Sequence, residues 1–434
     1  MENNVVNSVW QKSKPIIKGL MIVVLVLLLL IPEYFVKDLI TEREERQREA
    51  FNEVSSKWAN EQNITGPVLV IPYNKPSTDN NGKPIFIKSS AYFLPDELTI
   101  NSSVTPIKKY RGIYEVMLYS STVSINGDFN SLPLEKLKLT PQDMIWNEAY
   151  VCFGISDAKG LKEEMKMSWD TTVLSFTPAN VNNGVFKDCF MSPVSVNYEG
   201  SSKGFKFSGQ LSFNGSQQLL FTPVGRQTTV QMRSSWPDPS FTGGRLPDTS
   251  EISKNGFTAK WRSLFHTRNF PQAWKDESYD LSSSSFGTDL FIPVSGYQKT
   301  MRAVKYAVLC ILLTFVAFFL IETNNKKSAH PLQYALIGFA LILFYTLLLS
   351  ISEYIGFNAA YAIAAVATIG LIVWFIRGIL QSGRATTLLA VVLILVYSYV
   401  FTILQLQDYA LLLGSIGLFL TLGVIMYFSR KIRW

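Results

Sequence analysis

The sequence predicts a membrane α-helical protein with six spans and one large β-rich, sandwich-like extracytoplasmic domain. Three observations predict it. Six stretches stay apolar over the roughly 20 residues that a helix needs to cross about 30 Å of hydrocarbon. They cover residues 16–36, 305–321, 331–351, 359–376, 385–404 and 409–428. Lys and Arg in the short connections gather on one side of those spans. Between the first and second spans the pattern changes to alternation with period two, interrupted by Gly, Pro, Asn and Asp.

Composition agrees. Of 434 residues 48% are hydrophobic and 13% aromatic, too apolar for a wholly soluble chain of this length. The net charge of +7 is not a nucleic-acid footprint. Residues 37–305 carry 30 Lys/Arg against 28 Asp/Glu, a net of +2, and the other +5 (10 basic, 5 acidic) sits at the apolar segments, their short loops and the termini. That distribution is topogenic charge at a bilayer.

Taken in order, residues 1–15 read as a cytoplasmic N-terminus. Residues 16–36 read as an uncleaved signal anchor, because their core is long and no A-x-A-like site follows it. Orientation comes from the loops. With the N-terminus inside, Lys12, Lys14, Lys18, Lys326, Lys327, Arg377, Arg384, Arg430, Lys431 and Arg433 all fall inside, while the outside loops 353–358 and 405–408 hold no Lys or Arg. Both termini are then cytoplasmic, including the C-terminal residues 429–434, and residues 37–304 lie outside.

Residues 37–60 read as a helical stalk that continues the first span. Glu42–Arg46 and Glu44–Arg48 are attractive i,i+4 pairs, Glu49–Glu53 is a repulsive one, and Phe51, Val54 and Trp58 recur at helical spacing as an apolar stripe for the domain. The charged face is either a solvated surface or a partner surface, with Glu42, Arg43, Glu45 and Arg46 as its candidates.

Residues 61–304 carry the β texture. Residues 68–72 form a short apolar run behind Gly66-Pro67, "YEVMLYSSTVSI" begins at Tyr114, and "FKFSGQLSFNGSQQLLFTPV" begins at Phe205 with a hairpin turn expected at Asn214-Gly215. "GFTAKWRSLFHTRNF" alternates from Gly256, and 157–167 is the one short helix expected. Antiparallel strands at this spacing argue for a sandwich. The loop "SSWPDPSFTGGRLPDTSEI" presents Trp236 and Phe241 either as core plugs or as a recognition surface. Cys152 and Cys189 would close a loop of 38 residues as a disulfide, or stay as two buried thiols. The remaining residues, 305–428, form a five-helix membrane domain.

Chemistry is hard to find. The chain has two histidines, His266 and His330, and no metal-ligand spacing, nucleophile elbow or phosphate loop. No catalytic residue, cofactor or metal is expected, and the chain reads as a non-enzyme. The middles of the six spans carry no Asp, Glu, Lys, Arg or His, which argues against a proton- or ion-coupled carrier. Glu33, Glu322, Glu353 and Arg377 lie at span ends, where interfacial water is within reach.

One family likeness is specific. "LITEREERQREAFNEVSSKWANEQNITGPVLVIPY" (residues 39–73), "SSWPDPSFTGGRLP" with "GFTAKWRSLFHTRNFPQ", and "FGTDLFIPVSGYQKTMRAVKYAVLCILLTFVAFFLIE" (residues 286–322) resemble, in this order, the CreD inner-membrane protein family of bacteria. The resemblance implies a periplasmic β domain, a bacterial inner-membrane location and a role in cell-envelope integrity, colicin tolerance and the response to wall stress. It carries no catalytic residues. The expected function is therefore envelope homeostasis through partners: the lipid bilayer, and an unknown envelope protein or cell-wall component. A transporter or channel for an envelope component is the alternative.

Overall fold

The computed structural model describes residues 2–130, 132–179, 185–186, 189–196, 204–290, 296–325, 328–406 and 409–429; for residues 2–16 and several positions of the last helix only the backbone is described. The side chains of Lys12, Lys14, Lys326, Lys327, Arg430, Lys431 and Arg433, and residues 407–408 of the second outside loop, fall outside this set. The chain divides into two compact units, Met1–Arg48 with Val294–Trp434, and Glu49–Pro293.

The first unit is helical. α1 runs unbroken from Glu2 to Trp58 and gives its last ten residues to the second unit. α2 (Gly296–Lys305) is short and amphipathic. It is followed by α3 (Ala307–Asn324), α4 (Pro331–Ile355), α5 (Phe357–Leu380), α6 (Gly383–Gln405) and α7 (Ala410–Ser429). Among the described residues five helices are long and apolar enough to cross a membrane: α1 from Ile17, α3, α4, α5 and α6. The sequence led us to expect six. The segment 409–428 does form a helix, α7, but it is not among the five.

Local chemistry sets the ends of these helices. Pro331 opens α4 at a position whose N–H has no helical partner, and the His330 and Gln333 side chains cap its first turn reciprocally. His330 is thus a helix cap. Gly338 lets α1 approach α4, since a Cβ there would meet the buried Leu29 at 2.3 Å. Between α4, α5 and α6, Phe344 meets Tyr345, Tyr361 and Tyr397 edge-on, and the Tyr361 hydroxyl donates to the Tyr397 carbonyl at 2.8 Å.

The second unit begins with the end of α1. Glu49 and Glu53 do not simply repel, because Glu53 accepts from Lys57 at 2.8 Å and Arg111 at 3.0 Å. Both cations hold the Glu53 carboxyl below its ordinary range. Trp58 donates to the Tyr119 carbonyl at 3.4 Å, Ala59 is fully buried, and Asp157 accepts from the Asn60 backbone at 3.0 Å.

Seventeen strands follow among the described residues. The early ones are β1 (Gln62–Thr78), β2 (Pro84–Phe93), β3 (Glu97–Arg111), β4 (Tyr114–Phe129) and β5 (Tyr150–Ile155). Next come β6 (Lys166–Trp169), β7 (Thr172–Ser175), β8 (Thr177–Ala179), β9 (Cys189–Pro193), β10 (Phe205–Ser216) and β11 (Gln218–Phe221). The last are β12 (Gln227–Ser234), β13 (Ser240–Gly243), β14 (Thr249–Ser253), β15 (Gly256–Leu264), β16 (Ala273–Lys275) and β17 (Phe286–Asp289).

They form two sheets. The nine-stranded sheet runs β13-β17-β11-β1-β5-β9-β8, with β2 paired to β1 and β16 paired to β2, and the eight-stranded sheet runs β14-β15-β12-β3-β4-β10-β6-β7. The sheets are mixed, not antiparallel throughout, because β1 pairs with β11 and β3 with β12 in parallel. Alternation fixes the inward face of the second sheet. Leu98, Ile100 and Val104 of β3, Val230 and Met232 of β12, and Ala259 and Trp261 of β15 turn into one core shared with Val68, Leu69 and Ile71 of β1.

Three local expectations fail. No hairpin forms at Asn214-Gly215. β10 runs through both residues, the backbone turns at Gln217 (φ 56°), and β11 enters the other sheet. Gly215 is needed for a different reason: a Cβ there would strike the Tyr119 hydroxyl at 2.3 Å and its ring at 2.4 Å. Residues 157–167 are no helix either, but a 3₁₀ turn (Ala158–Gly160) followed by the start of β6, whose Met167 is buried. β15 ends at Leu264, so His266 lies on an exposed 3₁₀ turn and not in a strand.

Candidate functional site

The sequence candidates separate into two kinds. Glu42 and Arg46 are half exposed and bond each other at 2.6 Å, as their spacing requires. Arg43 points to Glu353 at 4.0 Å, and Glu45 is exposed. This run therefore has an outward face. Trp236 and Phe241 lie mainly against the core. Trp236 is 8% exposed, with its indole N–H donating to the Asp238 carbonyl at 2.9 Å. Phe241 stands edge-on against Phe257 and Trp261. Trp236 is a buried plug of the core, and Phe241 is half-buried against that core.

Cys152 and Cys189 are buried thiols, not joined as a disulfide, on the paired strands β5 and β9. The Cys152 thiol donates to the Val68 carbonyl at 3.6 Å. Burial, and then the neighbouring Cys189, push the Cys152 thiol well above its ordinary range, which favours the protonated thiol.

Among the described residues the second unit has an open groove of about 510 Å³, formed by the middle of β3, the end of β12, the end of β14 and the start of β15. Ser103, Thr105, Arg233, Glu251, Ser253 and Asn255 line it. It offers hydroxyls, an amide and one charge of each sign, but no base beside a nucleophile. Elsewhere in this unit Asp276 accepts from Tyr73 at 2.7 Å and Ser89 at 3.2 Å, and pairs with Lys75 at 3.0 Å. Burial pulls the Asp276 carboxyl up, yet Tyr73 and Lys75 outweigh it and hold it below the usual carboxylate range. Burial, then Asp276, push the Tyr73 hydroxyl up to about 12. The knot is saturated and structural. No group of His, Cys, Asp and Glu among the described residues has a metal-binding arrangement.

The feature that sequence reasoning missed lies in the helical unit. Glu33 and Glu322 do not reach interfacial water; they are 3% and 2% exposed. Glu33 pairs with Lys37 one turn on, at 2.7 Å. Glu322, near the end of α3, pairs with Lys18 of α1, and it accepts from the Tyr334 hydroxyl at 2.7 Å and the Ala329 N–H at 2.6 Å. Lys18 also donates to the Ala329 carbonyl at 3.1 Å and lies 5.7 Å from the centre of the Tyr334 ring. At the other end of α4, Glu353 accepts from Tyr297 of α2 at 2.9 Å. The Lys18–Glu322 partners stand 304 residues apart, so local pattern had no means of pairing them.

Fold and site define a class: a multi-span membrane protein with a buried ion pair between two of its helices, carrying a large mixed β unit. The chain belongs to the family of the inner membrane protein CreD, whose sequence profile matches residues 14–434. It is 29% identical over 417 residues to the inner membrane protein CreD of Escherichia coli strain K12, covering 94% of this chain and 91% of that protein.

Proposed function

We propose that this inner membrane protein is a non-enzymatic component of the cell envelope that acts through binding partners. In this reading the chain crosses the membrane six times, with α7 as the last span. Both termini are cytoplasmic, and residues 37–304 stand in the periplasm. Partner contact falls on the polar groove of the β unit, with an envelope protein or a cell-wall component as occupant, and the role is envelope integrity under stress.

One observation carries the anchoring role of the helical unit. Among the described residues its most deeply buried carboxylate, Glu322, is engaged by Lys18, Tyr334 and the Ala329 N–H. A proton or ion carrier keeps a carboxylate that can be loaded and unloaded. This one is closed by three donors, and it fastens α1 to α3 and α4.

The test is Glu322→Gln, which keeps an acceptor for Tyr334 and the Ala329 N–H, beside Glu322→Ala, which does not, in cells that need the protein under envelope stress. A fastening residue tolerates the Gln variant, with stress resistance near wild type, and loses it in the Ala variant. Loss of stress resistance in the Gln variant, at normal protein level, would favour the transporter reading.

A further inference from the structure

α2 is a short amphipathic helix whose cations have no carboxylate partner among the described residues. Tyr297, Thr300, Ala303 and Val304 form its buried stripe. At 100° per residue, Lys299, Arg302 and Lys305 form a second stripe on the opposite side. No carboxylate pairs with any of the three among the described residues; Lys299 lies 5.8 Å from the centre of the Phe357 ring. The nearby Glu353 is already engaged by Tyr297 and Arg43.

The chain fixes where this stripe sits. α3 starts at Ala307, two residues past the end of α2. It has 18 residues, about 27 Å of helix, which the hydrocarbon layer takes up almost entirely. α2 is therefore held at headgroup level, beside the α4–α5 turn that its Tyr297 and Lys299 touch. In the orientation proposed above, on which this step rests, that is the outer leaflet. Lys and Arg flanking a span are disfavoured on the translocated side. The short loops there follow the rule, and α2 with three cations breaks it.

We propose that α2 is a binding surface for anionic phospholipid headgroups, with Lys299, Arg302 and Lys305 contacting the lipid phosphates. The occupant is the headgroup of a bilayer lipid, since a stripe at this depth faces the phosphate layer while its opposite side is packed on protein. Each basic residue next to an anionic surface strengthens association about fivefold, so three together give about a hundredfold.

The experiment uses the purified full-length chain in a neutral detergent, titrated with phosphatidylglycerol or with phosphatidylcholine of the same acyl chains, and reads bound lipid by native mass spectrometry. Phosphatidylglycerol should bind about a hundredfold more tightly than phosphatidylcholine, and the preference should weaken as sodium chloride rises. The triple variant Lys299→Gln, Arg302→Gln, Lys305→Gln should lose it. The triple variant Lys299→Arg, Arg302→Lys, Lys305→Arg should keep it. An unchanged preference in the glutamine variant overturns the proposal, as does full displacement of the lipid by millimolar inorganic phosphate, which would mark a free-anion site. If the glutamine variant fails to fold, the wild-type salt series decides: a preference independent of salt overturns the proposal. The orientation itself is read separately, by a reporter fused after Asp128; a cytoplasmic signal there would sink the topology and leave the lipid measurement standing.

Discussion

Arg268 is a guanidinium buried without a carboxylate, and its removal can be costed from the structure. The residue is 8% exposed. Its side chain donates to the Pro223 carbonyl at 3.0 Å, the Val224 carbonyl at 2.6 Å and the Gln272 side-chain oxygen. Gln272 in turn donates to the carbonyls of Leu94 and Pro95 at 3.0 and 2.6 Å. The guanidinium carbon stacks 4.5 Å from the centre of the Phe270 ring. Burial, then repulsion from Arg226, pull Arg268 down to about 9, so it stays charged at neutral pH. Replacing it by Met keeps the apolar stem and strands three acceptors, each costing about 1–3 kcal/mol when buried and unmet. Relief from holding a desolvated charge offsets part of this. The net expectation is a loss of about 2–4 kcal/mol, or about 5–15 °C in the melting of a unit this size. Lys keeps the charge but not the planar fork, so Arg268→Lys should fall between wild type and Arg268→Met. Tryptophan fluorescence of the full-length protein during heating reads it directly. A Met variant melting within a degree of wild type would refute the reasoning, and so would a Lys variant as damaged as the Met variant.

Further predictions concern charge and thiols. The Asp276 carboxyl is held below its ordinary range, so its stabilisation is present above the unfolded carboxylate pKa and is lost as pH falls through the lower, folded value. The Asp276→Asn variant should therefore show a flatter loss of melting temperature between pH 7 and pH 3 than wild type, and parallel curves would contradict this. Unfolded without reductant, the chain should take up three maleimides, at Cys152, Cys189 and Cys310. A single label, with two more only after reduction, would mean that the 38-residue loop is closed, a constraint worth about 3–4 kcal/mol. The exchange Glu42→Arg with Arg46→Glu keeps an exposed pair of about 0.3–0.5 kcal/mol and should leave the melt unchanged. Loss of stress resistance in that variant, at normal protein level, would show that the charged run docks a partner.

What the sequence made legible follows from where the decisive interactions lie. The span-to-stalk helix could be read because both halves are local: an apolar run, then good helix formers paired at i,i+4. β4, β10 and β15 could be read from period two. The hairpin at Asn214-Gly215 was misread because β11 pairs with β1, more than 150 residues earlier in the chain, and turn chemistry says nothing of such a partner. Residues 157–167 contain Glu, Lys and Met, all helix formers, yet the burial of Met165 and Met167 in the shared core overrides local propensity. Trp236 and Phe241 were ambiguous for a related reason. A turn-rich loop looks the same whether its rings face water or Trp261. The Lys18–Glu322 pair belongs to the same class of long-range fact.

The central claim is partner contact at the groove of the β unit. It is tested most directly by placing a photo-crosslinking amino acid at Asn255, inside the groove, and at Val173, which is 69% exposed on β7 and outside it. Illumination of intact, stressed cells should give one discrete crosslinked product from Asn255, identifiable by mass spectrometry, and none from Val173. Identical patterns at the two positions, or no product at Asn255 in cells whose stress resistance is intact, would contradict the account.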